Sequence, residues 1–261
     1  MCIVLAMSIF HAVILGIVEG ITEFLPVSST GHLILASDLL RIAQTPFVKS
    51  FEIAIQLGAI LAVIALYHDK LRDVAILKKV AIAFIPTGVV GLLAYKLVKT
   101  YLIGNTSVVL ASLTLGGMLL IAFELWTGGG SEARGSVKDI SARQAFAIGC
   151  AQSVAVVPGV SRSAATMVGG LAIGIPRASI VEFSFLLAVP TMLAATGLDL
   201  VKSYALFPPS DIAPLAAGFV TSFIVALLAV SFLLRHIRTN TLVPFGIYRI
   251  LVACVFWLAV I

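Results

Sequence analysis

Residues 16–35 run Gly16-Ile17-Val18-Glu19-Gly20-Ile21-Thr22-Glu23-Phe24-Leu25-Pro26-Val27-Ser28-Ser29-Thr30-Gly31-His32-Leu33-Ile34-Leu35. The sequence from Met1 to Leu40 is largely apolar, so Glu19, Glu23, Ser28, Ser29, Thr30 and His32 stand where hydrocarbon is expected. An ionisable side chain at bilayer depth costs about 2.5–3.5 kcal/mol on insertion scales, and a cluster of three points to function. Irregular backbone at that depth is tolerated only where protein or a water-filled cavity satisfies it. Residues 1–45 are therefore read as two short helices around a polar turn, a re-entrant hairpin.

The whole chain fits that setting. Of its 261 residues 61% are hydrophobic and 11% charged, against about 25% charged in a soluble domain. The net charge of +5 comes from lysines and arginines in short loops between apolar segments. That pattern sets membrane topology and gives no reason to expect a nucleic-acid partner. Met1 to Phe10 has no Lys or Arg before the apolar run, unlike a signal peptide. Cys2, Cys150 and Cys254 are far apart in apolar sequence and read as packing residues, not as a disulfide framework or a zinc site.

Six segments, about 50–68, 80–98, 106–126, 181–200, 212–234 and 243–261, approach the ~20 apolar residues a bilayer needs. Residues 142–178 are broken by Pro, Gly, Ser and charge, and read as a second hairpin. A shift of 133 residues places Gly16 on Gly149, Glu19 on Gln152, Val27 on Val160 and Ser28 on Ser161; with a three-residue gap, Phe51-Glu52 meets Val181-Glu182. Each half is then hairpin, span, span, span. An odd number of spans makes the second copy enter from the opposite side. The expected fold is an all-α polytopic membrane protein with an inverted-topology repeat: six transmembrane helices plus two re-entrant helical hairpins. It is one integral membrane domain, 1–261, with repeats 1–130 and 131–261.

Loops 69–79 and 127–143 hold Lys70, Arg72, Lys78, Lys79, Arg134, Lys138 and Arg143, and Arg177, Arg235 and Arg238 join them on the side the positive-inside rule makes cytoplasmic. The opposite side receives Arg41, Lys49, Lys99 and Lys202. Hairpin one enters from outside and hairpin two from inside, both termini lie outside, and the polar turns meet near the midplane.

Glu19 and Glu23 are four apart, on one helix face, with Cβ atoms about 5–6 Å apart. Two such carboxylates in low dielectric share a proton or a cation. Mg²⁺ and Ca²⁺ suit carboxylate oxygens, and Mg²⁺ is often held jointly with a substrate phosphate; a solvated carboxylate pair is the bland reading. Ser28, Ser29 and Thr30 beside His32 form either a nucleophile–base arrangement or an N-cap for a helix starting near Gly31.

In the second hairpin Pro158-Gly159-Val160-Ser161-Arg162-Ser163-Ala164-Ala165-Thr166 puts an arginine among hydroxyls at the start of a short helix. Such a group suits a phosphate, through the guanidinium fork and free backbone N–H groups. The competing reading pairs Arg162 with Glu19, Glu23 or Glu182 for neutrality. Ser179 and Glu182 fit a capping box, which favours structural roles for Glu182 and its match Glu52. Arg249, inside the last apolar segment, needs a partner that the sequence does not name.

Glu19-Gly-Ile-Thr-Glu23-Phe-Leu-Pro-Val-Ser-Ser-Thr-Gly-His32 together with Pro158-Gly-Val-Ser-Arg-Ser-Ala-Ala-Thr166 resembles the bacterial undecaprenyl-diphosphatase family, also called bacitracin-resistance proteins. The resemblance extends over the whole chain in length, segment order and both motifs. It implies hydrolysis of undecaprenyl diphosphate to undecaprenyl phosphate and inorganic phosphate, which recycles the lipid carrier of cell-wall glycans. It also implies a divalent cation (Mg²⁺ or Ca²⁺) and a multi-pass protein of the bacterial cytoplasmic membrane, its site opening toward the periplasm. The family's functional positions fall on Glu19, Glu23, Ser29, His32, Ser161, Arg162 and Thr166. Ala164 departs from the family's usual glycine, and its methyl group is expected to tighten the turn.

On this reading Ser29, His32, Glu23 and Arg162 are catalytic. Ser28, Thr30, Ser161, Arg162, Ser163 and Thr166 contact the substrate, and Glu19 and Glu23 hold the metal. Ser29 attacks the terminal phosphorus and His32 assists as acid or base, with His32 itself as nucleophile the rival. The expected partners are undecaprenyl diphosphate, membrane lipid and a second copy in a homodimer. An inverted repeat fits a transporter or flippase of the lipid carrier phosphate equally well, but a carrier needs no positioned nucleophile. A purely structural scaffold leaves the charge in both hairpins unexplained.

Overall fold

The computed structural model describes residues 7–43, 45–102, 105–128, 135–203 and 212–260; Cys2 and Arg134 lie outside them. Ten α-helices follow in order: α1 Ile9–Thr22, α2 Ser29–Leu39, α3 Pro46–Leu66, α4 Val74–Leu97, α5 Thr106–Thr127, α6 Ala142–Gln152, α7 Arg162–Ala172, α8 Arg177–Ser203, α9 Ile212–Thr239 and α10 Val243–Val260. The protein is an all-α, multi-pass membrane protein. Five segments, Pro46–Leu66, Val74–Leu97, Thr106–Thr127, Arg177–Gly197 and Ile212–Ile237, are long and apolar enough to cross a bilayer, whereas the apolar part of α10, Val243–Leu258, is shorter.

Three of the five start four to six residues before the apolar segments read from sequence, because caps and not hydropathy set helix starts. Thr45 accepts from Val48 N–H ahead of Pro46, and the Asp73 carboxylate accepts from Ala75 and Ile76 N–H. Asn105 caps α5 in the same way, and Gly128 ends it in the left-handed conformation (φ 65°). The expected Ser179–Glu182 capping box is absent. Helix α8 already begins at Arg177, so Ser179 lies inside its first turn, and Glu182 instead pairs with Lys70.

The two broken regions are each two short helices around a turn, as expected. Helix α1 runs beside α9 in the same direction. A Cβ on Gly16 would lie 2.5 Å from Gly218 O, and one on Gly20 2.8 Å from Ser222 O. The turn after α1 thus lies about halfway along α9. Helix α6 does the same against α4. Ala145 and Ile148 pack with Ile76, Val80 and Ala83, and a Cβ on Gly149 would lie 2.1 Å from Ala83 O. Pro86 cannot donate inside α4. The next residue, Thr87, bonds the neighbouring hairpin, donating to Gly149 O at 3.1 Å.

Gly149→Ala therefore has to push α6 off α4. We expect a loss of about 1–3 kcal/mol, the usual cost of overpacking a close contact, read as a lower unfolding midpoint in detergent.

Helices α3 and α8 pack together at the centre, and α5 pairs with α10. Phe24 and Val27 of the first turn join Ala164 and Met167 of α7 in the main apolar cluster, with Ala59, Val63, Phe185 and Val230 around them. At one end of the bundle the basic loops interlock. Lys138 reaches Asp73 at 2.6 Å, and Arg177 donates to Glu124 at 2.5 Å. The bond from Lys138, with that from Ala75 N–H, holds the Asp73 carboxyl below its usual range.

Candidate active site

The two turns meet, and their polar groups interlock. Helix α1 ends at Glu23, which keeps helical dihedrals (φ −60°, ψ −43°) and sits over Glu19 one turn back. The chain reverses through Phe24–Ser28 and re-enters helix at Ser29. Ser28 makes the reversal at φ 75°, a region sparsely used by residues with a Cβ and costing on the order of 1 kcal/mol. Its side chain makes no cap bond, so the N-cap reading of this serine does not hold. The strained residue instead aims its carbonyl at His32 Nδ1, 2.8 Å away.

Ser29 Oγ donates to Glu23 Oε2 at 2.5 Å. The other oxygen of Glu23, Oε1, accepts from Arg162 Nη2 at 2.9 Å. One carboxylate thus joins a hydroxyl of hairpin one to the guanidinium of hairpin two, with Glu23 6% exposed. A short charge-assisted O–H···O⁻ bond of this kind places the proton between a potential nucleophile and its base. Arg162 also donates through Nη1 to Ser184 O at 3.0 Å, stands 6.0 Å from the Phe24 ring centroid, and keeps a buried Nε without a bond. Glu19 is fully buried beside Glu23, and among the described residues no donor reaches either of its carboxylate oxygens.

The hydroxyls of hairpin two make bonds within the protein. Ser161 caps α7 by accepting from Ala164 N–H. Ser163 Oγ donates to Leu25 O at 2.8 Å, so the 2.9 Å contact between Ser161 and Ser163 carries the Ser161 proton. Thr166 Oγ1 lies 2.8 Å from Arg162 O and 3.2 Å from Gln152 Oε1. These three hold the shape of the turn and place Arg162. Thr30 is exposed, a helical step away from Ser29 and His32. Ala164 is not in the turn: it is the third residue of α7 and its methyl packs in the main apolar cluster.

No hydrogen bond joins His32 to Ser29. Its Nε2 lies 2.9 Å from the Tyr248 hydroxyl on α10. Arg249, the next residue, is 1% exposed and reaches four backbone carbonyls and no carboxylate. Nη1 bonds Pro26 O at 3.4 Å, Nη2 bonds Ser112 O at 3.0 Å and Gly159 O at 3.1 Å, and Nε bonds Leu113 O at 3.3 Å. Pro26 belongs to the first turn and Gly159 to the second, so Arg249 fastens them together. Glu52 accepts from Ser37 at 2.7 Å. Gln152, fully buried, uses its amide on Thr87 (3.0 Å) and Thr191 (3.2 Å). Sequence reasoning passed over Tyr248 and Gln152. Gln152 did carry a signal, its alignment with Glu19, whereas Tyr248 carried none.

Among the described residues no three His, Cys, Asp or Glu side chains gather to hold a metal. Glu19 and Glu23 still fit a divalent cation. Two buried carboxylate oxygens await a partner beside a second carboxylate, and Mg²⁺ commonly takes one or two carboxylates and completes its shell with substrate phosphate and water.

The bacitracin resistance protein BacA family matches residues 12–255. The chain is 52% identical to the undecaprenyl-diphosphatase of Aquifex aeolicus, over 96% of this chain and 98% of the relative. It is 50% identical to that of a Sulfurihydrogenibium species, over 97% and 99%, and 51% identical to that of Wolinella succinogenes, over 96% and 97%. With both turns intact and the match spanning nearly the full length, the chain belongs to the bacitracin resistance protein BacA family.

Proposed function

We infer that the protein is a membrane phosphatase that hydrolyses undecaprenyl diphosphate to undecaprenyl phosphate and inorganic phosphate. The observation that carries the chemistry is the continuous chain Ser29–Glu23–Arg162, which joins the two turns inside the bundle. Arg162 binds the terminal phosphate. Ser29 Oγ attacks its phosphorus as Glu23 Oε2 takes the hydroxyl proton, and the bond to the bridging oxygen breaks. Undecaprenyl phosphate leaves, and water then releases phosphate from Ser29. Preorganised charge supplies most of the acceleration in such a site. Ser29 is favoured over His32 as nucleophile because its hydroxyl already donates to a carboxylate, whereas Nε2 of His32 is engaged by Tyr248.

Glu19 and Glu23 would hold the divalent cation, which supplies charge neutralisation at the phosphate oxygens. Two half-length hairpins, one beside α9 and one beside α4, support an inverted repeat with re-entrant hairpins and α10 as a sixth span. The basic loops gathered at one end support a cytoplasmic placement of that end. The turn of hairpin one then opens toward the periplasm, in the bacterial cytoplasmic membrane.

The test is phosphate release from a C55 prenyl diphosphate by detergent-purified protein. Wild type should release phosphate with Mg²⁺ or Ca²⁺ present and stop on chelation; Ser29→Ala and Arg162→Ala should lose release in either condition. Well-folded wild type that releases none would point to a carrier of the lipid phosphate instead. Glu19→Gln should raise the cation concentration needed for half-maximal rate, and an unchanged requirement would remove Glu19 from the cation site.

A further inference from the structure

His32 is held from both sides. The Ser28 carbonyl oxygen, 2.8 Å from Nδ1, can only accept, so Nδ1 carries the ring proton. Nε2 is then a lone pair, and the Tyr248 hydroxyl, 2.9 Å away, is its donor. The two rings are stacked, their planes 8° from parallel and their centroids 5.4 Å apart. Neither support is free to drift. Ser28 is fixed in its unusual backbone conformation. Tyr248 precedes Arg249, whose guanidinium is anchored on four carbonyls of the two turns and α5, which sets the rotation of α10 at this point. On the other side of α2, Gly31 faces the apolar side chains of Val109 and Leu113, and His32 itself is 9% exposed.

We propose that Tyr248 is a positioning residue for His32. With the Ser28 carbonyl fixing the ring as Nδ1–H, the Tyr248 hydroxyl donates to Nε2 and holds that lone pair toward α10. Glu23 is thereby left as the acceptor of the Ser29 proton, and His32 is reserved for the second half of the reaction. There the oxygen of a water joins phosphorus as the bond from Ser29 Oγ to phosphorus breaks. One water proton passes to Nε2, from which the Tyr248 hydroxyl has rotated, and Ser29 Oγ regains its proton from Glu23; as phosphate leaves, the Nε2 proton passes to solvent, which restores the neutral ring. This assignment rests on the phosphatase reading for its catalytic part and on the hydrogen bonds alone for its structural part.

The two parts are separable by experiment. Full-length protein in detergent, labelled with ¹⁵N-histidine, is compared with Tyr248→Phe, the His32 signals being assigned from a His32→Asn sample. In wild type the His32 Nδ1 resonance should be pyrrole-type and Nε2 pyridine-type. In Tyr248→Phe the Nε2 resonance should stay pyridine-type and move downfield as its hydrogen bond is lost. In the phosphate-release assay kcat should fall on the order of tenfold, a fraction of a full acid–base contribution, with KM within about twofold. Wild-type His32 protonated on Nε2 overturns the proposal, and that spectrum decides the matter even where the variant fails to fold. An unmoved Nε2 signal with raised KM makes Tyr248 a packing residue and also overturns it. Wild type that releases no phosphate sinks the phosphatase reading, while the spectra still settle the ring's hydrogen bonds.

Discussion

At saturating divalent cation, Glu23→Gln is expected to reduce kcat on the order of a thousandfold while leaving KM unchanged or lower. Both oxygens of Glu23 face donors, Ser29 Oγ on one side and Arg162 Nη2 on the other. The amide has the same shape but must turn an N–H toward one of the two donors. It also cannot accept the Ser29 proton, and removing a general base costs 10²–10⁴ in rate. The loss of charge has a second consequence. Arg162, whose side chain is 10% exposed, loses its counter-ion, and breaking a buried pair from one side costs about 3–5 kcal/mol. An incoming diphosphate can repay that cost by taking the vacated guanidinium, so ground-state binding is preserved. Arg162→Ala behaves in the opposite way and should raise KM along with its loss of kcat. Glu23→Asp reaches one donor or the other but not both, and should fall between wild type and Gln. A Gln variant that kept more than about a tenth of wild-type kcat would place the Ser29 proton on some other base.

Much of this site is legible in the sequence because charge in hydrocarbon is conspicuous. Glu19, Glu23 and Arg162 stand out against apolar neighbours, and proline and glycine beside them locate both turns. Who bonds whom is not legible. Ser29 lies three residues before His32 and six after Glu23, and one-dimensional proximity favours the histidine. The turn through Phe24–Ser28 folds the serine back onto the carboxylate instead. Once Ser29 opens a helix, each residue turns about 100° from the last, and Thr30 leaves the face that carries Ser29 and His32. The hydroxyls of hairpin two are read as phosphate ligands because hydroxyls near an arginine suit phosphate. The bonds they make within the protein are not legible: Ser161 caps α7 and meets Ser163, Ser163 reaches Leu25 O of the other turn, and Thr166 bonds Arg162 O. Tyr248 meets His32 from 216 positions away, out of an apolar helix whose periodicity encodes packing and not partners.

Arg249→Met should be the most destabilising single change in the last helix and should also silence the enzyme. A fully buried arginine in an apolar helix usually takes a carboxylate partner, and here, among the described residues, it has none: four carbonyl oxygens share its charge. The sequence makes room for it, since a Cβ on Gly116 would lie 2.2 Å from Nη2. Gly159 offers its carbonyl from a left-handed turn (φ 86°), where a Cβ would also meet Val109 O at 2.8 Å. Methionine fills most of the volume and bonds nothing. Each buried acceptor left without a donor costs about 1–3 kcal/mol, and partial relaxation brings the sum to roughly 3–5 kcal/mol. We expect the unfolding midpoint in detergent to drop by about 10 °C. Lysine keeps the charge but not the planar fork. It can reach one or two of the carbonyls, so Arg249→Lys should recover part of the stability. Activity should recover less than stability does. Pro26 and Gly159 belong to different turns, and Arg249 spans both beside the single Ser163–Leu25 bond, which keeps Glu23 and Arg162 in register. A Met variant whose midpoint stays within about 2 °C of wild type would show that the turns are held together by the Glu23–Arg162 pair and apolar packing alone.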